Sequence, residues 1–368
     1  MTSAGHKIEN RTRFGFADTA KGIGICFVVM EHHAYISTFH PDLQKIILSF
    51  HMPLFFFISG FFFNAKYSLR QHVTKRYHSL VKPYFSLATT FMILFFLKNH
   101  DSSSLVFNSA GILYGSSQSL RWPYGTFWFF TSLFVTSVIY CIIYHFLLCK
   151  IKKAALRLCL LGLMVTCAYY GNLCFKNSSF YHELPWNLDL LLFTLFFYAV
   201  GFEYRMAEKF EKLENKYLIG IVLVILSVMH IVLYGKSGYV LNFFYRRYDD
   251  LILNTFLSLL AIFAVMAVSK EIARKRSFIF KPIAFLGERS LTIFMFHSLI
   301  LAYAAKYTEM LFGSISSYLA FFLAVSLTII ISVIIHELLL KSSILSWLYL
   351  NIEKQRSSLA ESDIRKQV

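Results

Sequence analysis

The chain has 368 residues, 57% of them hydrophobic and only 15% charged, with a mean hydropathy of +0.57. Soluble domains carry nearer a quarter charged residues, so a soluble fold is excluded and the long apolar runs specify an all-α polytopic membrane protein. The net charge of +16 would suit a nucleic acid, but the lysines and arginines sit in short loops between apolar runs, as membrane topology requires. No nucleic-acid partner is therefore expected.

The runs predict ten transmembrane helices. Residues 1–17 form a basic tail, and no short apolar leader with a cleavage site precedes the first helix, which is expected to be retained. Span 1 runs outward from about Asp18 to Ile36, and span 2 returns from about Ile46 to Phe63 after the outer turn His40-Pro41-Asp42. An inner loop rich in Lys and Arg leads to span 3, from about Pro83 to Leu97, with proline at a tolerated first helical position. A Ser-rich outer segment follows, ending in Arg121-Trp122-Pro123-Tyr124, and span 4 comes in from about Thr126 to Cys149. Span 5 goes out to about Tyr170, and span 6 comes in from about Asn187 to Tyr204. Span 7 goes out to about Tyr234, the outer loop holds Tyr245-Arg246-Arg247-Tyr248-Asp249-Asp250, and span 8 comes in to about Val268. Span 9 runs from about Ile283 to Ala305 and span 10 from about Ser317 to Leu340. This gives a tail (1–17), a membrane domain (18–340) and a second tail (341–368).

With a cytoplasmic N-terminus, all 36 basic residues fall inside except Lys45, Lys98, Arg121, Lys176, Lys236, Arg246, Arg247 and Lys306. Both termini are therefore expected in the cytoplasm. Cys26, Cys141, Cys149, Cys159 and Cys167 lie in apolar runs and Cys174 in a predicted outer loop. They read as small buried apolar residues, and with no CxxC or Cys/His spacing no metal is expected.

Ionisable groups inside a bilayer cost several kcal/mol and are usually retained for function. Span 1 carries Asp18, Lys21, Glu31, His32 and His33. At about 100° per residue, Asp18, Lys21 and His32 share one face, whereas Glu31 and His33 each point about 100° away from His32. His32 lies about 16 Å along the axis from Lys21, past the middle of a core about 30 Å thick.

Five pieces, in order, resemble a known family. They are Asp18-x-x-Lys21-x10-His32; Phe50-His51-Met52-Pro53-Leu54-Phe55-Phe56-Phe57-Ile58-Ser59-Gly60; Arg76-x6-Pro83-Tyr84; Gly125-Thr126-Phe127-Trp128-Phe129; and Ser290-Leu291-Thr292-Ile293-Phe294-Met295-Phe296-His297. The chain resembles integral-membrane acyltransferase family 3, the bacterial O-acetyltransferases that modify cell-surface glycans, in its short stand-alone form. Lys21 stands where many members carry Arg, and a lysine lacks the bidentate fork.

The resemblance implies transfer of an acetyl group from cytoplasmic acetyl-CoA to a hydroxyl of a surface or lipid-linked glycan, in the bacterial cytoplasmic (inner) membrane. Histidine suits the general base this needs. His32 is the candidate base or acetyl carrier, with Lys21 and Asp18 to orient it or to pair with each other. Arg76, with Arg70, Lys75 and Lys82, is the candidate holder of the CoA phosphates. His51, Ser59, Trp128, His297, Glu31 and His33 are candidates for the site wall. Membrane lipid is a further expected partner, and a homo-oligomer is compatible with this reading. A transporter or flippase for a glycan is the alternative, since carriers also bury polar groups among many helices; the absence of an internal repeat speaks against it.

Overall fold

The structure, a computed structural model, describes residues 15–100, 102–176, 183–208, 241–248, 250–275, 278–313 and 315–350. Span 7 and the outer parts of both tails lie outside the described residues. In chain order the principal helices are α1 (Gly15–Glu31), α2 (Ala34–Phe39), α3 (Pro41–Phe61), α4 (Leu69–Arg76), α5 (Lys82–Asn99), α6 (Ser102–Tyr114), α7 (Trp128–Phe146), α8 (Ala154–Lys176), α9 (Leu191–Glu208), α10 (Leu251–Lys275), α11 (Phe280–Glu288), α12 (Ser290–Phe312) and α13 (Ser317–Lys341). A two-residue antiparallel ribbon, β1 (Leu241–Asn242) and β2 (Arg247–Tyr248), is the one strand pairing among the described residues.

Six described helical stretches are long and apolar enough to cross a membrane, and α11 with α12, bent by 79°, makes a seventh. The first helix falls short of that class at 17 residues, about 26 Å of rise.

Several elements differ from expectation for local reasons. Span 1 stops at Glu31 instead of Ile36, and span 2 begins at Pro41, where proline opens the helix, instead of Ile46. The inner loop before span 3 is itself helical from Leu69, because Ser68 and Gln71 form a reciprocal capping box. The polar segment after Lys98 holds α6. Span 9 is broken at Arg289. Cys141 is buried and Cys26 partly so, but Cys149, Cys159 and Cys167 are exposed on the protein surface, against the expectation of burial; an apolar run in a membrane helix has a lipid-facing side as well as a packed one.

Lipid is as apolar as leucine, so helices in a membrane are held by close packing and internal polar contacts. The α3–α9 contact illustrates it. A Cβ at Gly60 would overlap the Tyr198 backbone, and one at Gly201 would overlap the Phe57 backbone. The paired glycines let the two helices touch backbone to backbone, with Phe57, Phe61, Phe63 and Tyr198 fully buried around them.

Candidate active site

The site begins where α1 ends. The His32 amide reaches the Val28 carbonyl at only 3.4 Å, while the His32 ring Nδ1 takes the same oxygen at 2.9 Å. The shared carbonyl weakens the ladder, and His33 turns to extended backbone at φ −86°, ψ 130°. There His33 Nδ1 accepts the Tyr35 amide at 3.1 Å and caps α2.

Leaving the helix changes who meets whom. Glu31 Oε2 lies 2.9 Å from His32 Nδ1, and Gln44 Nε2 donates to Glu31 Oε1 at 3.2 Å. His32 Nδ1 thus faces two acceptors, the Glu31 carboxylate and the Val28 carbonyl. It carries the hydrogen, and Nε2 is the ring nitrogen left to accept a proton.

A cavity of about 810 Å³ opens over this pair. Its wall includes Glu31, His32, His33, His51 and Trp128, with the amides of Gln44, Gln118 and Asn242 around them. The His32 side chain is 35% accessible, whereas Trp128 is buried at 5%. His51 Nδ1 donates to the Ile47 carbonyl at 2.8 Å. Behind His32, the fully buried His297 meets its ring edge to face at 5.0 Å and donates from Nδ1 to the Phe294 carbonyl at 2.9 Å. Among the described residues, no three of His, Cys, Asp and Glu are placed to hold a metal.

The structure thus brings His32, Glu31, His33, His51, Trp128 and His297 together. It does not bring Lys21 and Asp18 to His32. Their side chains pair with each other at 2.6 Å, and Lys21 lies over the Phe62 ring at 5.6 Å, at the opposite end of α1. Helical phase put them on one stripe, but a shared face does not shorten about 16 Å of axial rise. The same phase argument put Glu31 off the stripe, and it fails there because the helix ends at Glu31.

The candidate donor residues lie apart from the cavity wall. Arg76 Nη2 donates to Tyr198 Oη at 3.2 Å and to the Ser59 carbonyl at 3.5 Å. Ser59 is therefore not in the cavity; it sits eight residues past His51 on the same helix, about 12 Å along the axis. Lys75 donates to Tyr67 Oη at 3.2 Å, which draws the exposed phenol below its ordinary range, while Lys82 lies over the Trp347 ring at 4.3 Å. Arg70 is exposed.

Gln44, Gln118 and Asn242 were missed from sequence because they come from three distant segments with no shared pattern. In the outer loop, Arg246 is buried at 7% exposure, while its neighbour Tyr245 stays exposed.

These features define a multi-pass helical membrane protein with a histidine–carboxylate pair in the wall of a large cavity. The family comparison agrees, for a model described as an acyltransferase domain matches residues 14–337. The chain belongs to acyltransferase family 3 and is a membrane acyltransferase, which sets the transporter alternative aside. No curated protein and no solved structure matches it.

Proposed function

We propose that the protein is an O-acetyltransferase that takes an acetyl group from cytoplasmic acetyl-CoA and places it on a hydroxyl of a surface or lipid-linked glycan. The Glu31–His32 pair carries the reading: a histidine with its Nδ1–H held by a carboxylate at 2.9 Å is equipped to take a hydroxyl proton on Nε2. As the hydroxyl oxygen attacks the thioester carbonyl, Nε2 takes its proton and the Glu31 charge offsets the positive charge gained by the ring. The carbon–sulfur bond breaks, CoA leaves as thiolate, and the proton returns to it from His32.

The cavity supports an acceptor at this end, offering the side-chain amides of Gln44, Gln118 and Asn242 for hydroxyls. In this reading Arg76 serves the donor: its guanidinium bonds the Ser59 carbonyl, and Ser59 lies about 12 Å past His51 along α3, a distance the extended arm of CoA would span. The basic-loop asymmetry supports ten spans, cytoplasmic termini and residence in the bacterial cytoplasmic membrane.

The test is acetyl transfer by the purified full chain, with acetyl-CoA as donor and methyl glycosides as acceptors, read by mass spectrometry. Acetylated glycoside and free CoA in equal amounts are expected. Consumption of acetyl-CoA with no acylated product from any sugar would overturn the glycan reading.

A further inference from the structure

Arg246 lies in the turn between β1 and β2, and its neighbours Asn242, Phe243, Phe244 and Tyr245 line the cavity. Its backbone sits at φ +52°, a left-handed conformation that a side chain disfavours. What holds it there is the destination of its guanidinium. Nη1 lies 2.8 Å from Glu183 Oε1 and Nε 2.8 Å from Asp189 Oδ2. Nη2 donates to Asn187 Oδ1 at 2.9 Å, and Nη1 also bonds Ser117 Oγ and the Phe244 carbonyl. The Arg246 and Glu183 side chains are 4% and 7% accessible, and that of Asp189 is 12%.

The same carboxylate and amide reach onward. Glu183 Oε2 accepts the Gln118 amide at 2.9 Å, and Asn187 Oδ1 accepts the Ser117 amide at 3.1 Å. One guanidinium thus joins three outer segments that are distant in sequence: 116–119, 183–189 and 241–248. Two of them, at Ser117-Gln118 and at Asn242–Tyr245, are cavity wall. None of the groups bonded to Arg246 is His32 or Glu31, so the cluster is separate from the reacting pair.

We propose that Arg246 is the positioning residue of the acceptor site, the buried tie that holds the β1–β2 turn and the Ser117-Gln118 segment as the outer wall of the cavity. This rests on the reading of that cavity as the acceptor site. A forked donor is required because the contacts diverge toward two carboxylates, an amide and a carbonyl, and a lysine ammonium cannot reproduce that geometry. Its removal leaves two largely buried carboxylates uncompensated, which repel each other and part the wall.

Full-length wild type, Arg246→Lys and Arg246→Met are compared in lipid nanodiscs by hydrogen exchange and by acetyl transfer to methyl glycosides. In Arg246→Met, exchange at the Ser117, Gln118 and Tyr245 amides is expected to quicken at least tenfold, with α7 unchanged. The KM for glycoside is expected to rise about tenfold while the KM for acetyl-CoA stays within twofold, and Arg246→Lys should fall between. Unchanged exchange in a folded Arg246→Met overturns the proposal. So does a loss shared equally by donor and acceptor, which would make Arg246 a general stabiliser. If wild type acetylates no glycoside, the glycan reading fails, and exchange alone decides whether Arg246 holds the wall.

Discussion

Glu31 and His32 are chain neighbours whose side chains meet at 2.9 Å because the helix that carries them ends between them. On an unbroken helix their rings and carboxyls would point about 100° apart. The turn supplies what the helix could not, an acid directly beside the histidine, and Gln44 on α3 fixes that acid at 3.2 Å.

His32→Ala is expected to lower acetyl transfer by about 10²–10⁴-fold, the range for loss of a general base, with membrane levels and donor binding kept. His33→Ala removes the cap of α2 and is expected to cost about 0.5–2 kcal/mol of local stability, with a much smaller loss of rate. Both are read side by side in matched membranes. An active His32→Ala beside a dead His33→Ala would assign the chemistry to the wrong ring.

Glu31→Gln keeps the shape of the side chain and removes the charge that holds Nδ1–H and balances the ring. Its kcat is expected to fall by about 10²-fold or more with little change in either KM. Gln44→Ala leaves the acid in place but loosens it, so a smaller fall is expected. A Glu31→Gln enzyme with wild-type kcat would show that His32 works without the carboxylate.

Much of this was legible in the sequence. The apolar runs and the polar groups inside them located most helices and drew attention to Glu31, His32 and His33, and the family resemblance added His51, Trp128 and His297; the fold gathers all six. What was not legible depends on where a helix stops and on what distant segments do. No periodicity marks the break at His32, since it arises from a ring competing with its own backbone for Val28 O. Nor does composition distinguish the buried Arg246 from a solvated charge, because its partners Glu183 and Asp189 lie more than fifty residues away. Lys21 and Asp18 are the converse case: correct in phase, wrong in depth.

Gly60→Ala is expected to destabilise the protein by about 1–3 kcal/mol, because the added methyl meets the Tyr198 backbone, which cannot yield as a side chain would. Gly201→Ala should do the same against Phe57. The two should be strongly non-additive, since either one already separates α3 from α9. Thermal unfolding of the purified variants in detergent checks it, and an unshifted Tm in both would mean that the helices do not meet this closely.

Topology follows from the charge asymmetry. Reporter fusions are expected to place Val368 in the cytoplasm and the segment at Ser103 outside. An external C-terminus, or an internal Ser103, would remove the ten-span arrangement and with it the assignment of the cavity to the outer side.

Arg76 admits a sharper test than its removal alone. Its guanidinium is tied to Tyr198 Oη at 3.2 Å, so Arg76→Ala both empties a candidate phosphate site and releases a helix contact. Tyr198→Phe releases only the contact. If Arg76 holds CoA phosphate, Arg76→Ala should weaken CoA binding by about 1.5–3 kcal/mol, roughly ten- to hundredfold, while Tyr198→Phe leaves it near wild type or strengthens it by freeing the guanidinium. If Arg76 is only a tie between α3, α4 and α9, both variants should lower Tm alike and leave CoA affinity unmoved. Calorimetric titration of CoA against each variant, alongside its melting curve, separates the two roles.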